Sequence, residues 1–130
     1  MKQIASNCPV VATLNILSNR WKFLIIRDLL HGPRRFGELK ESVAGISPKA
    51  LTTNLRELTE TGLITRTFFA EIPPRTEYAL TELGQQLRPI IGDLAKWGLI
   101  YQSVQKELQV AKPSSEADSG AAGTTPEEQE

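Results

Sequence analysis

The sequence predicts a mainly α-helical protein with a small β-hairpin wing, that is, a winged helix-turn-helix followed by a long C-terminal dimerisation helix. Three observations predict this fold class. One helix with marked ends lies between Gly45 and Gly62, and two β-rich segments follow it on either side of Pro73-Pro74. After them, apolar residues recur at heptad spacing from Leu83 to Leu108.

The charge of the chain is divided along its length. The 130 residues carry 15 basic and 15 acidic side chains, so the formal net charge is zero. Residues 109–130 hold one lysine against five acidic residues, whereas residues 1–108 hold 14 basic and 10 acidic residues. A mildly basic body is compatible with nucleic-acid binding. We expect one domain over residues 8–108 and, because Pro, Ser, Gly, Ala and Glu dominate the rest, an acidic disordered tail over residues 109–130.

Cysteine usage and hydropathy indicate the cellular compartment of the protein. Cys8 is the only cysteine, so no disulfide can form within one chain, and a reducing compartment is favoured. The sequence has no run of 18 apolar residues that would indicate a membrane-spanning helix, and its N-terminus lacks the pattern of a secretory leader. We expect a cytoplasmic protein with no membrane partner.

Two helices open the ordered part of the chain. Apolar residues at helical spacing predict a short helix over residues 9–17. Asn19 can cap the next helix, over residues 21–30, which is apolar on almost every side and stops at Gly32-Pro33. A helix of this kind is buried on several sides, so we expect it to form the core of the domain.

The next two helices form the predicted helix-turn-helix. Phe36, Leu39 and Val43 predict a short helix, which a turn containing Gly45 separates from the helix that follows. Two helices joined by a short turn with glycine are typical of this motif.

The second helix of this motif has marked ends. Ser47 is a good N-cap, because its hydroxyl can accept a hydrogen bond from a first-turn N–H, and Pro48 suits the first helical position. Gly62 suits the left-handed residue that closes a helix. Its apolar stripe is Leu51, Leu55 and Leu58.

The other face of this helix carries what a DNA recognition helix needs. Its side chains are Lys49, Thr52, Thr53 and Arg56. Two cations and two hydroxyls near a helix N-terminus can meet phosphates and base edges. Most surface helices carry such residues too, so an ordinary solvated face is the alternative interpretation, although the flanking architecture favours recognition.

After Gly62 the residue pattern changes from helical spacing to that of β-strands, and this change predicts the wing. Residues 63–69 are rich in β-branched and aromatic residues and predict a strand, and residues 75–80 return as the second strand. Pro73-Pro74 makes a stiff turn between them, since proline donates no ladder hydrogen bond. Together with a short strand before the third helix, this order of elements is more specific for a winged helix than any single element is.

Further cations lie near the predicted interface. Arg75 at the wing would reach a phosphate or the minor groove. The alternative interpretation is a strand-edge charge that pairs with Glu71 or Glu77. The remaining phosphate-contact candidates, for which solvated charges are the alternative, are Arg34, Arg35 and Lys40.

Thr81 begins the predicted long C-terminal helix. Its apolar positions alternate steps of four and three and are Leu83, Leu87, Ile90, Leu94, Trp97, Tyr101, Val104 and Leu108. Pro89, Gly92 and Gly98 predict a kink in place of a straight rod. Because the preceding 80 residues lack the surface to cover this stripe, we expect a homodimer. The alternative is a helix that packs only onto its own core.

Ten motifs follow one another in a specific order over residues 8–101. They are Cys8-Pro9-Val10, Ile16-Leu17-Ser18-Asn19-Arg20-Trp21-Lys22, Gly32-Pro33-Arg34-Arg35-Phe36-Gly37-Glu38-Leu39, Gly45-Ile46-Ser47, Leu51-Thr52, Leu55-Arg56-Glu57-Leu58, Gly62-Leu63-Ile64, Pro73-Pro74-Arg75-Thr76-Glu77-Tyr78, Leu80-Thr81-Glu82-Leu83-Gly84 and Trp97-Gly98. With these motifs the sequence resembles the HxlR-type winged helix-turn-helix regulators. The resemblance implies a bacterial, dimeric, DNA-binding transcription factor.

A dimeric winged helix would bind double-stranded DNA at a roughly palindromic operator. Each recognition helix would enter a major groove about 34 Å from its partner. Arg or Lys to guanine would be the contact that distinguishes sequences.

Cys8 is the remaining residue with a candidate role. It precedes Pro9 at the N-cap of the first helix, where the helix dipole stabilises a thiolate. Some regulators of the family that the sequence resembles sense oxidants or electrophiles through a cysteine at this position. A sensor is one interpretation, and a small half-buried residue near the dimer interface is the other. Any disulfide must join two subunits or the chain and a small thiol.

Other function classes find no support in the sequence. It contains no nucleotide-binding glycine loop, no paired carboxylates with a base and no cluster with metal-ligand spacing, so we expect no enzyme, cofactor or metal. His31 is most simply a helix C-terminal residue. The alternative function is a winged-helix module that binds protein, which would show apolar or aromatic residues on the outer face of the recognition helix.

Overall fold

The computed structural model describes residues 7–111 of the chain. Its elements are α1 (Pro9–Leu17), α2 (Arg20–Leu29), β1 (Arg34–Arg35), α3 (Phe36–Ser42), α4 (Pro48–Glu60), β2 (Ile64–Phe69), β3 (Arg75–Leu80), α5 (Glu82–Gln85) and α6 (Leu87–Ala111). The predicted fold class is confirmed, since a small antiparallel sheet accompanies mainly helical structure and a long C-terminal helix. Two compact units divide at the boundary between Arg88 and Pro89. Within residues 7–111, no helix has the length and hydropathy needed to span a bilayer.

Helix α2 supplies the centre of the core, as its sequence predicts. Asn19 caps it, because the side-chain oxygen accepts a hydrogen bond from the backbone N–H of Lys22 at 3.1 Å. Ile25, Ile26 and Leu29 are at most 1% exposed. Burial of one such side chain stabilises a fold by about 1.5–3 kcal/mol, so α2 contributes a large share of the hydrophobic stabilisation.

Helix α3 is held against α2 by a partly buried polar contact that the sequence analysis did not anticipate. Asp28 of α2 is buried, and its carboxylate accepts a hydrogen bond from the hydroxyl of Ser42 at 2.5 Å. At the start of α3, the carboxylate of Glu38 accepts a hydrogen bond from the backbone N–H of Arg35 at 2.8 Å. Both ends of this short helix are therefore fixed by side chains.

Helix α4 begins and ends where its sequence predicts. The hydroxyl of Ser47 accepts a hydrogen bond from the N–H of Ala50 at 3.1 Å, and Pro48 is the first helical residue. Gly62, just beyond the helix, has a φ of 84°, a left-handed conformation that favours glycine. The leucines of the apolar stripe, Leu51, Leu55 and Leu58, are at most 1% exposed.

The predicted hairpin is confirmed, and it belongs to a three-stranded sheet. Strands β2 and β3 are antiparallel, with Ile64 opposite Leu80. The two-residue strand β1 pairs with the other edge of β3, where Arg34 lies opposite Tyr78. The strand order is therefore β1-β3-β2, and β1 joins the start of α3 to the hairpin.

The prediction of one continuous helix from Thr81 is wrong. Helix α5 ends at Gln85, and α6 begins at Leu87 after the single residue Gln86. Pro89 explains the break, because it has no N–H to donate to the carbonyl of Gln85 and its ring would clash with that carbonyl. The proline therefore separates two helices and does not kink one.

Helix α6 is uninterrupted from its start to Ala111. Gly92 and Gly98, which were predicted to contribute to a kink, lie within it, so the heptad repeat is unbroken from Leu87 to Leu108. The helix includes the first three residues assigned to the acidic tail. The rest of that tail, residues 112–130, lies outside the described residues.

Thr81 joins the ends of α4, β2 and α5. Its hydroxyl donates a hydrogen bond to the carbonyl of Gly62 at 2.6 Å and accepts one from the N–H of Gly84 at 3.1 Å. Its backbone N–H donates to the carbonyl of Leu63 at 3.0 Å. Gly84 is buried beside this junction, and a Cβ built on it would lie 2.3 Å from the carbonyl oxygen of Leu63. This close approach leaves no room for a side chain.

We expect Gly84→Ala to lower the free energy of unfolding by about 1–3 kcal/mol, because the added methyl group overpacks a backbone contact. Gly37→Ala in α3 is the matched control, since a Cβ there would meet nothing within 4 Å. Urea unfolding of both variants measures the difference. Equal stability of Gly84→Ala and the wild type would contradict the close packing at the junction.

Candidate nucleic-acid interface

The outer face of α4 carries the residues that were predicted to meet DNA. Lys49, Thr52 and Arg56 are exposed, and Thr53 is half-buried beside them. Burial of the leucine stripe fixes this orientation, because residues three and four apart along a helix share a face. The structure thus places these four α4 residues on one accessible side of the helix.

An ion pair between α2 and α4 opposes rotation of α4 about its axis. The ammonium of Lys22 lies 2.9 Å from Oε1 of Glu57. The hydrogen bond from Lys22 and its positive charge lower the pKa of Glu57 below the usual value of 4.5, and the charge of Arg56 adds to this effect. At neutral pH the carboxylate is therefore ionised and engaged by α2.

Arg56 retains an accessible guanidinium. Its Nε lies 3.9 Å from Oε2 of Glu60, and the two side chains are 58% and 67% exposed. An exposed pair of this kind contributes at most about 1 kcal/mol. A phosphate or a base edge can therefore take the place of the carboxylate.

An open groove of about 290 Å³ lies between α4 and the sheet. Its lining residues are Thr52, Leu55, Arg56, Thr59, Glu60, Arg66 and Tyr78. Arg66 of β2 is the cation of this groove that sequence reasoning missed. The alternation of β2 was the available signal, because Arg66 follows the buried Ile64 by two residues and so shares its face.

Arg75 makes the contacts named in its alternative interpretation. Its guanidinium forms an ion pair with Glu71, and its Nε donates to Oε2 of Glu77 at 3.2 Å. The central carbon of this guanidinium lies 4.0 Å from the ring centroid of Phe69. These three contacts order the wing around Arg75, and its side chain is only 24% exposed.

The two other predicted arginines lie on β1. Arg35 is exposed and lines a second groove, of about 460 Å³, together with residues of α3 and the wing that include Phe36, Phe68 and Arg75. Arg34 is half-buried, and its Nη1 donates to the carbonyl of Pro33 at 3.2 Å. Of these two cations, Arg35 is the more accessible to a phosphate.

Cys8 is exposed and stands at the N-cap of α1, as predicted from its position before Pro9. Its side chain makes no capping hydrogen bond. Its backbone carbonyl accepts a hydrogen bond from the N–H of Ala12 at 3.0 Å. The thiol is therefore accessible on the single chain.

Helix α6 presents a stripe of exposed apolar side chains. The stripe consists of Ile90, Leu94, Trp97, Tyr101, Val104 and Leu108, which are 42–63% exposed. Trp97 and Tyr101 stack with their ring centroids 5.3 Å apart. Large apolar side chains exposed in one line along a helix are typical of an interaction surface.

Residues 7–111 contain no group of three or more His, Cys, Asp or Glu side chains that could hold a metal ion. His31 is exposed just beyond α2, and its backbone N–H donates to the carbonyl of Asp28 at 3.1 Å. Its position is that of a helix C-terminal residue, as its sequence context predicts.

Comparisons with known proteins agree with this architecture. Residues 16–106 match the family model described as HxlR-like helix-turn-helix. Over 110 residues the chain is 36% identical to YkvN of Bacillus subtilis (strain 168), an HTH-type transcriptional regulator; the match covers 82% of this chain and 93% of YkvN.

Solved structures of two transcriptional regulators, HypR and YodB, are also similar. The redox regulator HypR in its reduced form has a TM-score of 0.71 at 33% identity, covering 77% of this chain and 99% of HypR. The reduced form of the transcriptional regulator YodB from B. subtilis has a TM-score of 0.64 at 35% identity, covering 69% of this chain and 89% of YodB. YodB has also been crystallised after diamide treatment.

Proposed function

Because this chain belongs to the HxlR-like helix-turn-helix family and is a winged-helix transcriptional regulator, we propose that it binds a roughly palindromic operator as a homodimer. The observation that carries this proposal is the outer face of α4. Lys49, Thr52 and Arg56 are exposed there, while the leucine stripe on the other side is buried. A solvent-facing helix with cations and hydroxyls has the chemistry that base edges and phosphates require.

Helix α4 enters the major groove in this proposal. An α-helix is about 10–12 Å in diameter with its side chains, and the major groove of B-DNA is about 12 Å wide. Arg56 forms a bidentate contact with guanine, and the hydroxyls of Thr52 and Thr53 bind neighbouring bases or phosphates. Lys49 binds phosphate near the start of the helix. These roles follow from the reach and the hydrogen-bonding capacity of each side chain.

The cations outside α4 bind the DNA backbone in this proposal. Arg35 is exposed and binds a phosphate, while Arg34 is half-buried and contributes less. Arg75 contacts the backbone at the wing, where a phosphate must compete with the carboxylates of Glu71 and Glu77. Contacts of this kind position a protein on the duplex and carry no sequence information directly.

The homodimer forms through α6. Its stripe of six apolar residues is exposed on the single chain and keeps a heptad spacing, which suits packing of two helices along a shared seam. Burial of large side chains such as Trp97 and Leu94 supplies the free energy of association. A two-fold axis between two copies of α4 accounts for a palindromic operator.

A response to oxidants or electrophiles through Cys8 completes the proposal. The thiol is exposed at the N-cap of α1. The chain as a whole is also similar to HypR, a protein described as a redox regulator. With diamide as the oxidant, two Cys8 thiols of two subunits would form one disulfide, and their two protons and two electrons would reduce diamide to the hydrazine.

The alternative function is a winged-helix module that binds protein without specific DNA binding. Two exposed apolar residues at the wing favour it, since Phe68 is 58% exposed and Ile72 is fully exposed. Against it, the outer face of α4 carries no apolar or aromatic side chain of the kind that protein interfaces enrich. Selection of bound sequences from random DNA separates the two functions, because a protein-binding module enriches no sequence.

Arg56→Ala should weaken binding to the selected operator by about 5-fold to 150-fold, because one bidentate base contact discriminates by about 1–3 kcal/mol. Arg75→Ala should weaken binding to operator and unrelated DNA alike. Lys106→Ala, which removes an exposed cation of α6, is the control and should leave the operator affinity unchanged. A gel-shift series at fixed salt measures these affinities. The assignment of both arginines as DNA contacts would be contradicted if Arg56→Ala and Arg75→Ala bound the operator as tightly as the wild type.

Trp97→Glu should raise the dissociation constant of the dimer by at least roughly tenfold, because it places a charge in an apolar seam. Ser103→Glu adds the same charge to the opposite side of α6 and should leave the dimer intact. Sedimentation equilibrium measures the masses of both variants. If Trp97→Glu keeps the mass of the wild type, α6 is not the dimer interface.

Diamide treatment should change the operator affinity of the wild type and leave that of Cys8→Ser unchanged. A non-reducing gel should show a cross-linked dimer of the wild type that thiol reductants remove. The sensor role of Cys8 is refuted by an unchanged affinity of the treated wild type, or by an identical change in Cys8→Ser.

A further inference from the structure

We infer that Arg66 of β2 is a further DNA-contacting residue, which binds a backbone phosphate beside the recognition helix and not a base. This inference rests on the proposed DNA binding and extends the interface from α4 onto the sheet. It is carried by the position of Arg66 in the groove next to α4, by its lack of ion-pair or hydrogen-bond partners among residues 7–111, and by the width of the major groove.

The position of Arg66 follows from the register of the sheet. Arg66 lies opposite Tyr78 of β3, and both residues line the groove together with Thr52 and Arg56 of α4. Side chains alternate between the two faces of a strand, so Arg66 shares the face of the buried Ile64. Arg66 itself is exposed.

The charge of Arg66 is uncompensated. Within residues 7–111 its guanidinium takes part in no ion pair and no hydrogen bond, in contrast to that of Arg75, which engages two carboxylates. The groove also holds Glu60, but this carboxylate pairs with Arg56. The three charged side chains of the groove therefore leave a net charge of +1, and Arg66 supplies the cation without a partner.

The dimensions of the duplex assign this cation to the backbone. A helix with its side chains nearly fills the major groove, since its diameter is about 10–12 Å and the groove is about 12 Å wide. A side chain that flanks the helix from a neighbouring element therefore meets the groove wall, which is phosphate and sugar. Arginine suits this place, because its planar guanidinium binds a phosphate through two parallel hydrogen bonds.

Arg66→Gln tests the inference in the full-length protein, with the selected operator and an unrelated duplex as probes. Affinity for both duplexes should fall by a similar factor. The slope of log K against log salt should become shallower by about 0.9, the amount expected for one lost phosphate contact. From ~50 mM to ~200 mM salt, the advantage of the wild type should therefore shrink about threefold. Arg66→Lys should retain most of the salt dependence.

A charge-preserving control separates a local contact from a general effect of net charge. The double variant Arg66→Gln with Thr67→Arg moves the cation to the neighbouring exposed position on the opposite face of β2. It should bind like Arg66→Gln alone. Thermal unfolding should show that both variants are folded.

Three results would overturn the inference. They are an unchanged affinity and salt slope in Arg66→Gln, recovery of binding by Thr67→Arg, and an altered base preference, which would make Arg66 a base contact. If the wild type enriches no sequence and binds no duplex, the proposed DNA binding itself fails, and this outcome is distinct from all three.

Discussion

Burial of the leucine stripe of α4 against the core around α2 is the constraint on which the rest of the DNA-binding unit depends. Ile25 and Ile26 of α2 and the stripe of α4 are almost completely buried, and the two helices are in contact. Because successive helical residues are 100° apart, this burial determines which α4 residues face solvent. The Lys22–Glu57 ion pair opposes rotation away from this arrangement. The orientation of Arg56 is therefore a property of the core as much as of α4.

Local rules were sufficient to predict α1 to α4 and the hairpin from the sequence. Capping hydroxyls, glycines that close helices and a clear change of period act within a few residues, so they are legible without tertiary structure. One local rule was given the wrong weight, since Pro89 ends α5 where a kink was expected. The C-terminal helix could be predicted, but where it begins depends on the clash between the ring of Pro89 and the carbonyl of Gln85.

Contacts between distant segments could not be predicted in the same way. The hydrogen bond between Asp28 and Ser42 and the approach of Gly84 to a carbonyl depend on how separate elements pack. Arg66 was missed for the same reason. An arginine in a strand can be assigned to the interface only once the position of the sheet beside α4 is known. For Arg75, the sequence left two interpretations open, and the structure provides the ion pairs of the second. Because two carboxylates engage Arg75, Arg66 of β2 is more available to a phosphate than Arg75 is.

The charges along α4 give this helix an electrical direction. Lys49 stands in its first turn, where the helix dipole is positive, whereas Glu60 is its last residue, where the dipole is negative. An anion is therefore attracted to the beginning of the helix and repelled from its end. A duplex that docks on this face meets the beginning of the helix most closely, so α4 should tilt into the groove with its first two turns deepest. In that orientation of the proposed complex, Arg56 would contact a base from the third turn of α4.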